Sequence, residues 1–259
     1  MTRSMSTALQ IKDRSLSGSL ARAARRVVQK TNLVAKLVLR FGLSGARSLG
    51  RDSKSQIGQD LFALSELGAR REGFFVEFGA TNGVDRSNSW MLEKRLGWRG
   101  ILAEPARCWH RDLAANRGCC IDHRCVWKTT GARLVFNEVT DPELSTLSAV
   151  ADVDFHQAAR RSHLAYEVET VSLDELLRFH GAPTVIDLLS IDTEGSELEI
   201  LEALDFSRWR FRVIVCEHNY APIRDKIHAL LTSKGYVRRY ADLSRFDDWY
   251  VLPRCDEAQ

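Results

Sequence analysis

The chain has 259 residues, 44% hydrophobic and 27% charged, which suits one α/β domain with a sizeable core and an extra segment. No apolar run approaches the ~18–20 residues that span a bilayer, and the start lacks the short apolar core of a secretory signal. The net charge of +3 is uneven: residues 1–50 hold ten Lys/Arg and one acid, Asp13, leaving a tail of about +9 and a body of about −6.

In the tail, Leu20, Ala24, Val27, Thr31, Val34, Val38 and Phe41 recur at spacings of four and three. That is one face of an α-helix. Arg22, Arg25, Arg26, Lys30, Lys36 and Arg40 are spread around the rest. A basic amphipathic helix over 16–41 can lie on an anionic membrane surface or pack on a partner. A solvated extension, a helix capping the domain and a cleaved organelle-targeting peptide are the alternatives. Gly42-Leu-Ser-Gly-Ala-Arg-Ser-Leu-Gly50 reads as a linker. Residues 1–54 are therefore expected to form an extension and linker, and 55–259 one domain.

From residue 56 strand and helix alternate. Helices are expected at 58–70, 87–96 (capped by Ser87 or Asn88), 109–116, 173–180 (capped by Ser172), 196–204 and 221–234. Strands are expected at 73–78, 100–104, 119–127, 133–138, 166–171, 184–191 and 211–216. The segments 236–241 and 248–252 close the chain as antiparallel strands, and the polar stretch 140–163 breaks the rhythm. Near-continuous apolar strands alternating with helices give a mostly parallel sheet with helices on both faces, a Rossmann-like α/β fold. The six cysteines, Cys108, Cys119, Cys120, Cys125, Cys216 and Cys255, form no C-x-x-C pair. They read as reduced thiols of a cytoplasmic protein.

Ligands of such sheets bind beyond the carboxyl ends of the strands. After the first strand runs Glu77-Phe-Gly79-Ala80-Thr81-Asn-Gly83. A dinucleotide fingerprint needs three glycines, and Thr81 stands at the middle one. Glu77 would repel a phosphate and suits a cation. S-adenosylmethionine (SAM) carries an amino group, a sulfonium and no phosphate. Glu104, about 20 residues past Gly83 at the second strand end, can accept both hydroxyls of a ribose. Cys125 and Val126, near the third strand end, could meet an adenine.

The segments Ser55-Gln-Ile-Gly-Gln-Asp-Leu61, Phe75-Val-Glu-Phe-Gly-Ala-Thr-Asn-Gly83, Ser87-Asn88, Gly100-Ile-Leu-Ala-Glu-Pro105, Ser190-Ile-Asp-Thr-Glu-Gly-Ser-Glu197 and Glu217-His-Asn219 together resemble the FkbM-type methyltransferases. The likeness covers about Ser55 to Pro253. It implies a class I fold, SAM as donor and O-methylation of a small-molecule, sugar or polyketide-type hydroxyl. By position, Glu77, Gly79, Ala80, Thr81, Gly83 and Glu104 would bind SAM, with Ser87 and Asn88 near its methionine end. Gln59 and Asp60 match a motif and are read as capping the first helix of the domain.

A hydroxyl is a poor nucleophile, so a base or a metal must help remove its proton. Asp192 and Glu194 follow one strand; Glu217, His218 and Asn219 follow the next. His218 has a suitable pKa for a general base. Asp192, Glu217 and His218 could instead hold Mg2+ or another divalent cation. Alternatively Asp192 orients the donor's amino group and His218 packs under a loop. Ser145, Thr146, Asp152, His156, Arg160, Arg161 and His163 in the polar stretch are candidates for a lid or acceptor pocket. Three rival functions are a nicotinamide-dependent oxidoreductase, a catalytically inactive scaffold and a nucleic-acid methyltransferase. The missing glycines disfavour the first, and the acidic body, which repels phosphates, disfavours the third.

Overall fold

A computed structural model describes residues 4–151 and 160–253, with side chains from Val27 onward apart from Val28. Helix α1 (Ser4–Asp52) leads to α2 (Gln59–Glu66), β1 (Phe74–Phe78), α3 (Trp90–Leu96), β2 (Arg99–Ala103), α4 (His110–Asn116) and β3 (Cys120–Asp122). Next come β4 (Cys125–Trp127), β5 (Arg133–Val139), β6 (Thr146–Leu147), β7 (His163–Ser172) and α5 (Leu173–Phe179). The chain continues through β8 (Val185–Ile191), α6 (Glu197–Ala203), β9 (Arg210–Glu217), α7 (Ile223–Ser233), β10 (Val237–Arg239) and β11 (Asp247–Val251).

Seven strands form the main sheet in the order β10-β11-β9-β8-β1-β2-β3. Its pairs from β9 through β3 are parallel, and only β11 runs antiparallel to its neighbours. This is the expected Rossmann-like fold. Alternate strand residues face opposite layers. Val76, Phe78, Leu189 and Ile191 join one buried cluster with α5, α6 and α7 residues. Phe75, Leu102, Leu188 and Trp249 join the other, against α1, α2, α3 and α4. The strand order reverses beside β1, which opens the crevice between β1 and β8.

Three expectations change. The strand expected at 119–127 is two: β3 closes the main sheet, and β4 crosses to a second sheet, β4-β7-β5-β6. Asp122 marks the break, its carboxylate held by Arg124 and His180 at 2.6 and 2.9 Å. The Gly42–Gly50 stretch is not a linker: the helix breaks at Gly42 (φ 70°, ψ 169°) and resumes to Asp52. Leu49 anchors this last piece in the core. The helix docks through Leu33 and Leu37, joined by Phe41 of the expected stripe, while Val27 and Val34 of that stripe are 65% and 47% exposed.

Helix α3 starts at Trp90, later than expected, because Ser87 Oγ accepts the N–H groups of Ser89 and Trp90 and holds 87–89 as a turn. Ser172 does cap α5, accepting the Glu175 N–H at 3.3 Å. Gln59 and Asp60 do not cap α2, whose N-cap is Gly58. Instead Gln59 donates to Asp247 of β11 at 2.8 Å. Asp60 accepts Ser53 Oγ and Ser55 Oγ at 2.8 and 2.6 Å. The pair thus staples the end of α1 to the sheet.

Candidate active site

The carboxyl ends of β1, β2, β8 and β9 open into one cavity of about 320 Å³, inside the usual range for small-molecule sites of ~300–1,000 Å³. Its roof comes from the second sheet and the loop before β6: Phe136, Pro142 to Ser145, and Leu147. Among the described residues, seven acidic side chains line it (Glu77, Asp85, Glu104, Glu143, Asp192, Glu194, Glu217) and one basic side chain, Arg86. Such a wall attracts a cation and repels a pyrophosphate. It argues against the nicotinamide reading.

The β1 loop is fixed by close approach. A Cβ on Gly79 would sit 2.1 Å from the Asp192 carbonyl oxygen, and Gly79 has φ 68°, so only glycine lets the β1 and β8 loops meet. Gly83 (φ 78°) presses on Arg117 and Leu113 instead. Glu77 lines the cavity but is held by its own loop. Its carboxylate accepts the Asn88 N–H at 2.6 Å, Ser87 Oγ at 3.1 Å and Ser89 Oγ. Arg117 lies beneath this loop with its side chain fully buried, 3.9 Å from Glu77 and 2.7 Å from Glu93.

Glu104 accepts the Thr81 N–H on one oxygen and the Ala106 N–H on the other, both at 2.8 Å. Burial nevertheless pushes its carboxyl up to about 7, with Asp192 and Glu138 adding repulsion. Each oxygen keeps a lone pair for a further donor. Asn88 donates to Ser190 Oγ at 2.9 Å, while its buried Oδ1 has no partner at the cavity wall. It is an acceptor waiting for a donor.

Opposite stands an acidic cluster. One oxygen each from Asp192, Glu194 and Glu217 lies within 4.8 Å of the others. Burial, together with the Asp192 and Glu194 charges, raises Glu217 well above the carboxylate range. Asp192 is raised to about 6 by burial and by the Glu197 and Glu77 charges, although its bond to Glu217 works against this. The two carboxyls therefore titrate as a coupled pair, both raised above the ordinary carboxylate range. Glu194, at φ 58°, accepts Arg160 Nη2 at 2.7 Å and Asn219 Nδ2 at 3.3 Å. Arg160 also donates to the carbonyls of Leu144 and Ala151 at 2.9 and 3.0 Å, tying the roof to the β8 loop.

Most of the expected site residues converge. Glu77, Gly79, Thr81, Ser87, Asn88, Glu104, Cys125, Asp192 and Glu217 line the cavity. Three do not. Ala80 is buried in the core, and Gly83 turns the loop over Arg117. His218 points away from the cavity: its Nδ1 accepts the Tyr220 N–H at 2.9 Å and its Nε2 lies 3.8 Å from Asp248. His218 thus packs under a loop, and Glu194 takes its place beside Asp192 and Glu217. Of the polar stretch, Ser145 reaches the cavity wall, while Thr146 Oγ1 donates to the Glu194 carbonyl at 2.9 Å. Asp152 and His156 lie outside the described residues. The sequence reading missed Arg117, Arg86 and Glu143. Arg86 pairs with Glu143 across the cavity mouth, and no motif or spacing marks these three.

A family model, the methyltransferase FkbM domain, matches residues 77–238, more than half of the chain. The chain belongs to the FkbM methyltransferase family. The match begins at Glu77, near the end of β1, and takes in β2, β8 and β9. The chain is 38% identical over 79 residues to methyltransferase sdnD of Sordaria araneosa, a match covering 27% of this chain and 30% of that protein. Among solved structures it resembles an FkbM methyltransferase from Methylobacillus flagellatus KT, at 13% identity and TM-score 0.43, over 79% of this chain and 57% of that one. It also resembles a precorrin-6y C5,15-methyltransferase from Geobacter metallireducens GS-15, at 16% identity and TM-score 0.39, over 70% and 72% of the two chains.

Proposed function

We propose that this FkbM family member transfers a methyl group from SAM to a hydroxyl of a small-molecule, sugar or polyketide-type acceptor. The observation that carries the reading is the cavity wall of seven carboxylates and one arginine. SAM supplies, when bound, a methyl group already activated by its sulfonium. The residues fit it: Glu104 would hold the ribose hydroxyls, and the unpartnered Asn88 Oδ1 would accept from the amino group. Cys125 and Val126 offer an apolar wall for the adenine, and Gly79 allows the backbone to approach.

The acceptor's proton is the task of the opposite wall. Burial and mutual repulsion raise Asp192 and Glu217, so an ionised carboxylate of the pair is a strong enough base to take the proton of a hydroxyl seated there. This role replaces His218 with the carboxyl pair. A second reading assigns Asp192, Glu194 and Glu217 to a divalent cation, because three carboxylate oxygens so grouped are a hard, oxygen-only donor set. The cation would then lower the pKa of the hydroxyl.

Calorimetry with SAM tests the donor site, using wild type beside Glu104→Ala, with and without Mg2+. Binding by wild type that is lost in the variant is expected. Absence of binding under both conditions would reject the methyltransferase reading. Methyl transfer that persists in chelator selects the carboxyl pair over the cation.

A further inference from the structure

Helix α1 carries two apolar rows, and only one is used. Leu33 and Leu37 are 7% and 4% exposed and seat the helix on the body. Val27, Thr31, Val34 and Val38 fall within an arc of roughly 60° about a quarter-turn away. There Val27 is 65% and Val34 47% exposed. Thr31 turns its hydroxyl back to the Val27 carbonyl at 2.8 Å, so its methyl group belongs to the apolar face. The arc holds no charge. Lys36 and Arg40 instead serve the body side: Lys36 bonds Glu66 at 2.5 Å, and the Arg40 guanidinium packs by Gly68.

Scattered exposed apolar side chains are ordinary, but an aligned row is a docking surface. In the sequence Leu20 and Ala24 continue its spacing, in a segment with ten bases and one acid over residues 1–50. That charge decides what covers the row. A second copy laid face to face would set two segments of about +9 side by side, whereas anionic headgroups complement them. No helix among the described residues is long and apolar enough to cross a membrane, which leaves a helix lying in the interface plane.

We propose that the outer face of α1 binds the surface of an anionic lipid bilayer, with Val27 and Val34 entering it and the basic residues at its headgroups. The inference is independent of the chemistry proposed for the cavity.

Flotation of the full chain with vesicles tests it. One set is phosphatidylcholine alone, the other phosphatidylcholine with phosphatidylserine. The comparison is wild type against Val27→Asp/Val34→Asp, whose side chains face solvent, so its melting temperature without vesicles should match wild type. Binding is expected to the anionic vesicles only, to weaken with salt, and to fall about tenfold or more in the variant. No binding, equal binding to neutral vesicles, or undiminished binding by the variant would overturn the proposal. So would a dimer in light scattering that the same substitutions dissociate, since a second copy would then cover the face.

Discussion

The two ends of the cavity are built differently. At the proposed donor end, β1, β2 and the loop after β1 are locked to the sheet. Glu77 is fixed by its own loop over a buried arginine, and Glu104 by two backbone N–H groups. At the proposed acceptor end, Asp192, Glu194 and Glu217 follow the sheet strands, while Arg160, which holds Glu194, and Glu143, which pairs with Arg86, come from the insertion between β4 and α5. The first end can hold one ligand in one pose; the second can vary with the insertion.

Arg117 tests the donor end hardest. It donates to Glu93, Ser89 Oγ, the Gly83 carbonyl and Ser87 Oγ at 2.7, 2.8, 3.0 and 3.2 Å. Burial alone would raise Glu93, yet the Gly118 N–H and the Arg117 charge bring it down to about 2. Arg117→Met keeps the stem and strands two carboxylates, which should cost ~3–5 kcal/mol of stability in denaturant melts. A loss under ~1 kcal/mol would show the loop to be held without it. Next comes Gly79→Ala, in which a methyl meets the Asp192 carbonyl from a left-handed backbone. Stability should fall ~1–3 kcal/mol, with SAM affinity down ~tenfold or more as the two loops part.

Glu104 gives the donor end a pH signature. Its folded-state pKa is about 7, above the ordinary value, so the folded protein holds that proton more tightly than the unfolded chain. The contribution is complete below the ordinary carboxylate range and is lost as pH rises through 7. Asp247 at about 7 and Asp60 at about 6 act in the same direction. The ligand-free protein should therefore melt higher at pH 5 than at pH 8. Glu104→Gln should flatten this slope by on the order of 3 kcal/mol or less. Binding of cationic SAM should run the opposite way, strengthening as pH rises through 7. A slope unchanged in the variant would mean that Glu104 is ionised throughout.

The same division explains what the sequence could reveal. Glu77, Gly79 and Glu104 sit at the ends of apolar strands, where periodicity locates them and close approach restricts their type. Arg117 has no such mark, since a helix-end arginine is ordinarily a solvated charge, and only the folded loop above it buries it. His218 misled because residue type suggests a base, whereas side-chain direction depends on the left-handed turn at Asn219 and Tyr220 (φ 43° and 57°). The row on α1 was legible as a helix face, but not as the face left uncovered. Two apolar rows compete there, and the shape of the body selects Leu33 and Leu37.

The smallest effect belongs to the mouth of the acceptor end. Arg86 and Glu143 pair across it with side chains 54% and 23% exposed, so the pair should contribute under ~1 kcal/mol to stability. Its work is geometric, since it holds the insertion loop against the loop after β1. Arg86→Ala should leave the melting temperature and the SAM affinity near wild type while raising the acceptor KM. Glu143→Arg alone should do the same by repulsion. The swap, Arg86→Glu with Glu143→Arg, should restore most of the acceptor KM, because a closing contact depends on opposite signs and not on which loop carries which. An acceptor KM indifferent to all three would place the acceptor away from this mouth and leave the pair a surface contact.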